Sequence, residues 1–141
     1  MSEILISFDF SDDAEFVDLT RLTRLAEHVL ETECAAWVRI GIVLTRHDRL
    51  RTLNRDFLNH DFNTDVLSFL VEESDAGIEG EVYVDLETAI ERHTEFGSTI
   101  EEEIDRYVVH GLLHLAGYDD DTPEKKREMY ELESRYLMMD P

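Results

Sequence analysis

Apolar positions along the chain switch between two spacings, and the switches mark out the elements. Ile4 to Phe8 is short and mostly apolar, which predicts an opening strand. From Val17 to Leu30 the apolar residues (Leu19, Leu22, Leu25, Ala26, Val29 and Leu30) fall at helical spacing, one face of an amphipathic helix. Ala36 to Leu44 holds Trp37, Val38, Ile40, Ile42 and Val43, and that density of β-branched residues predicts a strand. Thr45 followed by Asp48 reads as a capped helix start, with Leu50, Leu53, Asn54 and Phe57 continuing the helix. The apolar run Thr64 to Val71 suits a buried strand. Glu72 to Glu79, with Ser74, Asp75 and Gly77, reads as a connector before a further strand at Glu81 to Val84. Asp9 to Glu15 and His60 to Asn63 read as loops.

Helix boundaries are written more plainly in the second half. Asp85 predicts the cap of a helix running to about Phe96 and stopped by Gly97. Thr99-Ile-Glu-Glu102 is a capping box. On the helix it opens, Ile104, Val108, Leu112 and Leu115 form an apolar stripe, and Tyr107, His110 and His114 form a second stripe beside it. Gly117 supplies a left-handed stop, and Thr122-Pro123 starts a last helix to about Leu137 with Met129, Leu132, Tyr136 and Met139 as its apolar set. The order strand, helix, strand, helix, strand, strand, then three helices predicts an α+β (α/β-like) fold. It is one domain over residues 1–141, a mixed sheet of about four strands with about five helices packed against it.

The histidines carry the chemistry. His110 and His114 lie four residues apart on a helix, so their imidazoles sit about 40° apart around its axis and point the same way. The turn at Gly117 brings Asp119, Asp120 and Asp121 back towards that face. Two imidazoles and one carboxylate form a zinc ligand set with a position left for water, although manganese or iron tolerates the same donors. Such an ion generates hydroxide near neutral pH, which predicts a metal-dependent hydrolase. In the zinc-protease helix motif a glutamate general base follows the first histidine directly; Gly111 stands there, so peptide hydrolysis by that route lacks its base.

The segment His110-Gly-Leu-Leu-His114-Leu-Ala-Gly117-Tyr118-Asp119-Asp120 resembles the signature of the YbeY family of metal-dependent endoribonucleases and ribosomal RNA maturation factors. Leu53-Asn54 followed by Asp61 to Phe69, and Gly80-Glu81-Val82-Tyr83-Val84, resemble two further blocks of that family, so the likeness spans nearly the whole chain. It implies metal ligands His110, His114 and Asp120, the last in place of the family's usual third histidine, around one zinc ion. The carboxylate brings an extra negative charge and makes the coordinated water less acidic. Leu58 stands where the family carries an arginine that contacts phosphate, and Arg55 lies three residues earlier.

By the same resemblance the substrate is single-stranded RNA, chiefly the precursor of small-subunit ribosomal RNA, cut in ribosome maturation and quality control. The partner is then the small ribosomal subunit or its proteins. The implied catalytic set is His114 with Thr64, Asp65 and Ser68. The plainer reading of the last three is structural: Thr64 and Asp65 tie down a loop and Ser68 is an ordinary strand residue. His60 reads as a loop residue. Two other functions stay open: a ribosome-assembly factor that binds without cutting, its metal bracing the fold, and a zinc hydrolase of another substrate class.

Composition then limits partners and place. With 43% apolar and 33% charged residues and no apolar run near the ~20 needed to cross a bilayer, no membrane partner is expected. The N-terminus has no basic region or long apolar segment, so no signal peptide is expected, and the lone Cys34 excludes an internal disulfide. A reducing cytoplasm is the expected location. Thirty-four acids face thirteen bases for a net charge of −21, and Lys125 and Lys126 are the two lysines. That excess repels polyanions at long range, so RNA must be met through arginines such as Arg39, Arg46, Arg49 and Arg51 or through ribosomal proteins. The acidic surface is either a solvated coat or an adaptation to a salty cytoplasm, where screening shortens self-repulsion to a few Å. Salt adaptation predicts a thermal unfolding midpoint that rises from low to molar KCl; an unchanged midpoint leaves the solvated coat.

Overall fold

The computed structural model describes residues 2–9, 17–58, 65–95 and 97–138, except for the side chain of Leu58. His60, Thr64, Met139 and most of the loop expected at Asp9 to Glu15 therefore lie outside the described residues. The elements are β1 (Glu3–Phe8), α1 (Leu19–Glu33), β2 (Trp37–Thr45), α2 (His47–Leu58), β3 (Val66–Ser74), β4 (Gly77–Asp85), α3 (Leu86–Arg92), α4 (Ile100–Leu115) and α5 (Pro123–Leu137). They form the α+β fold expected from their order, with one four-stranded sheet, β1-β2-β4-β3. β1, β2 and β4 run parallel, and β3 pairs antiparallel to β4, so the sheet is mixed. Among the described residues no helix is long and apolar enough to cross a membrane.

Strand alternation divides the core in two. On one face Ile40, Ile42 and Leu44 of β2 and Val82 and Val84 of β4 are buried, joined by the apolar sides of α1, α4 and α5. The stripe expected on α4, Ile104, Val108, Leu112 and Leu115, lies in this core. Each fully buried Leu or Ile there contributes about 1.5–3 kcal/mol. On the other face Leu50 and Leu53 of α2 cover Leu67, with Phe69 and Tyr83 at the margin.

Three boundaries differ from expectation. Glu72 to Glu79 is not a loose connector: β3 runs to Ser74 and β4 starts at Gly77, with Glu72 paired to Glu79 across a hairpin. The outer part of β3 is exposed on both faces, so backbone pairing holds it where side-chain alternation carries no signal. Thr45 does not cap α2. It ends β2, and its buried hydroxyl has no hydrogen-bond partner among the described residues. The amide of His47 at the start of α2 instead donates to Glu87 of α3 at 2.9 Å. Helix α3 stops at Arg92, about a turn before Phe96, because the Ser98 amide bonds back to the His93 carbonyl at 2.9 Å.

Helix α4 meets the sheet most closely at Gly111. A Cβ there would lie 2.4 Å from Val82 Cγ1 and 3.1 Å from Ser68 Oγ and Val66 Cγ2. The Ser68 hydroxyl donates to the Gly111 carbonyl at 2.8 Å, tying β3 to the same turn of helix. Helix propensity favours Gly111→Ala by about 1 kcal/mol. Overpacking costs about 1–3 kcal/mol or more, and fully buried Val82 has no room to yield. The overlap therefore wins, and Gly111→Ala is expected to lower the midpoint in thermal denaturation; a raised midpoint would refute the close contact.

Candidate metal centre

Helix α4 owes its start to the capping box. The Glu102 amide donates to Thr99 Oγ1 at 3.1 Å and the Thr99 amide donates to the Glu102 carboxylate at 3.2 Å. Its end is a Schellman turn: the Tyr118 amide reaches the Leu113 carbonyl at 3.0 Å and the Gly117 amide reaches that of His114 at 3.1 Å. Gly117 takes a φ of +105°, left-handed backbone that other residues rarely adopt. Tyr118 anchors the turn, its hydroxyl donating to Glu33 of α1 at 2.7 Å.

Beyond that turn Asp120 returns to the histidine face. His110 Nε2 and His114 Nε2 are 3.1 Å apart, His110 Nε2 and Asp120 Oδ2 are 3.4 Å apart, and His114 Nε2 and Asp120 Oδ1 are 3.5 Å apart. Tetrahedral zinc with bonds of 2.0–2.1 Å needs donors about 3.3 Å from one another. The two Asp120 distances run to different carboxylate oxygens, and one ligand atom from each of the three residues lies within 4.8 Å of the others, a group compact enough for one ion. The three side chains are 23%, 29% and 36% exposed, so solvent reaches the group. Of the neighbouring aspartates, Asp119 is exposed and Asp121 pairs with Lys125 at 3.3 Å.

Glu133 of α5 was not foreseen from sequence. Its Oε2 lies 2.6 Å from His110 Nδ1, and its Oε1 accepts from Arg106 Nη1 at 3.0 Å. Burial disfavours a charged His110, but hydrogen bonding and charge from Glu133, then charge from Asp120 and Asp65, outweigh it and raise the imidazole pKa. In sequence Glu133 resembles any acid on a solvated helix face; the only hint was Arg106 four residues before His110 on the same side of α4.

Asp65 lies within electrostatic reach of His110. Burial raises its carboxyl pKa, partly opposed by His110. It also lines a cavity of about 350 Å³ with Arg92, Ser98, Arg106, Tyr107 and Tyr130. Within it, burial, helped by Asp65 and Glu103, pushes the Tyr107 phenol above its ordinary range. The Ser68 hydroxyl is engaged with the Gly111 carbonyl. Of the arginines expected to meet RNA, Arg39 pairs with Glu3 at 3.3 Å and Arg49 with Asp9 at 3.7 Å.

The family model described as endoribonuclease YbeY matches residues 7–139. The endoribonuclease YbeY of Salinibacter ruber is 46% identical over 140 residues, covering 94% of this chain and 89% of its own. That of Chlorobium luteolum is 38% identical over 121 residues, covering 86% of this chain and 88% of its own. The solution structure of a Thermotoga maritima protein superposes with a TM-score of 0.64 at 32% identity, covering 96% of this chain and 87% of that one.

His47, Asp85 and Glu87 form a second group compact enough for an ion, but their atoms are already engaged. Asp85 caps α3 through the Thr88 amide at 3.0 Å and hydroxyl at 2.8 Å, and it also pairs with His47 Nδ1. His47 Nε2 faces Glu91 at 3.2 Å, so the group pins the start of α2 to α3. Partial burial of His47 disfavours its charge, yet Asp85 and Glu91 raise its pKa above the ordinary 6.5. A raised folded-state pKa gives stability that is fully present below the unfolded value and lost as pH rises through the folded one. His47→Gln should therefore lower the thermal midpoint most below about pH 6.5, the unfolded value of the imidazole. The gap should shrink at higher pH; a gap that does not vary with pH would refute this account.

Proposed function

The chain belongs to the YbeY endoribonuclease family, and from that premise we propose that His110, His114 and Asp120 hold one zinc ion for phosphodiester hydrolysis in single-stranded RNA. The observation that carries this reading is the convergence of the two Nε2 atoms, 3.1 Å apart, with the Asp120 carboxylate, whose two oxygens lie 3.4 and 3.5 Å from them, all three side chains being partly exposed. When bound, zinc supplies a water acidified to a pKa of about 7 and positive charge beside the phosphate oxygens. His110 and His114 would present Nε2 to the ion, and Asp120 would add negative charge that tempers that acidity. Asp65, within electrostatic reach of His110 and with its pKa raised by burial, is the proton acceptor in this reading; a raised carboxylate pKa is the direction a general base needs at neutral pH. Ser68 acts through Gly111, keeping α4 and its histidines against the sheet.

The substrate in this reading is the precursor of small-subunit ribosomal RNA. The enzyme then works in the cytoplasm, in ribosome maturation and quality control, with the small subunit or its proteins as partner. Those proteins would offset the repulsion between RNA and a chain of net charge −21. The same charge favours a second reading, an assembly factor that binds without cutting and keeps its metal for the fold. The two separate in an assay of labelled single-stranded RNA with the parent chain and His114→Ala, with and without zinc. The nuclease reading expects zinc-dependent cutting by the parent and a loss above about 100-fold in the variant, since changes to residues behind the ligands alone cost 10–100-fold. Negligible cutting by both, with tight binding to small subunits, would favour the assembly factor instead.

A further inference from the structure

We propose that Glu133 is the positioning residue of this centre. Its carboxylate accepts the Nδ1 proton of His110 and so fixes the imidazole in the tautomer and orientation that present Nε2 to the ion. The inference rests on the metal reading above and concerns how that site is held.

The geometry behind it begins with burial. Glu133 is 4% exposed, and burying a carboxylate so deep is costly unless its oxygens are partnered. One oxygen takes Arg106 at 3.0 Å and the other takes His110 Nδ1 at 2.6 Å. Arg106 and His110 are one turn apart on α4, so a single carboxylate from α5 spans both. Arg106 is held independently, donating to Ser134 Oγ at 3.1 Å and lying 4.3 Å over the Tyr130 ring. A carboxylate needed only to clamp two helices would give both oxygens to the guanidinium fork. Here one oxygen is turned to the imidazole, and on the far side of that ring Nε2 faces His114 and Asp120. Histidine ligands commonly donate their second ring N–H to a carboxylate, which selects the tautomer and raises the basicity of the coordinating nitrogen.

Zinc affinity, measured by competition with a chelator, tests the role on the parent, Glu133→Gln, Glu133→Ala and Arg106→Gln. Glu133→Ala should weaken zinc about 10–100-fold, and Glu133→Gln, which keeps a neutral acceptor, should lose less. Arg106→Gln breaks the clamp but leaves Glu133 facing His110, so it should lower the midpoint of the metal-free protein and cost less affinity than Glu133→Ala. The visible spectrum of the cobalt-loaded protein should shift in the Glu133 variants. Equal affinity losses in Arg106→Gln and Glu133→Ala would show a clamp and overturn the proposal. Nitrogen NMR of the zinc-loaded parent needs no variant. It should find His110 protonated at Nδ1 and coordinating through Nε2, and the opposite tautomer overturns the proposal. Should the parent bind no metal, the site reading fails and takes this proposal with it. Should the parent and the Glu133 variants bind equally well, only the proposal fails.

Discussion

The contact between Gly111 and Val82 sets how deep α4 lies on the sheet and how it is rotated about its axis. With no side chain at that position, the helix backbone comes down onto β3 and β4, and Ser68 bonds the Gly111 carbonyl. One residue earlier and three residues later on the same helix, His110 and His114 are thereby turned away from the core. A helix lifted or rotated by a larger residue would move both imidazoles together. The donor group thus depends on an apolar contact that takes no part in the chemistry.

The third donor depends on how that helix ends. The Schellman turn at Gly117 reverses the chain within a few residues, and Tyr118 ties the turn to α1. Asp120 then falls opposite the two histidines, while Asp119 stays exposed and Asp121 turns to Lys125. Three consecutive acids of the same type thus take three different environments, and the turn geometry does the sorting.

A chain with so few bases deploys several of them beside buried acids. Asp105 pairs with Arg21 at 2.7 Å, Glu133 with Arg106 and His110, and Asp85 with His47. A buried carboxylate without such a partner would be expelled to solvent or protonated. Two of these pairings join elements far apart in sequence: α1 to α4, and α2 to α3 through the residue that caps it. The third, between α4 and α5, reaches the candidate centre. Much of the large acidic excess lies on the surface, where it governs partners rather than fold.

The parts legible in the sequence are those governed by local physics. The periodicity of α1 and α4, the Thr99 capping box, the Gly117 stop and the proline start of α5 are each set by a few neighbouring residues, and each stands where expected. The pairing of His110 with His114 follows from helix pitch alone. The exposed outer hairpin of β3 and β4, Thr45 at the end of β2 and the early end of α3 depend on backbone bonds to other segments, which leave no periodic trace. Glu133 is the sharpest case. Its sequence neighbours are those of a solvated helix face, and only the packing of α5 onto α4 buries it against His110. Sequence by itself determined most of the elements, the caps of α3, α4 and α5 and the histidine face, because these need only near neighbours. Tertiary structure alone decided which carboxylate stands behind His110, because that distance is made by α5 packing on α4.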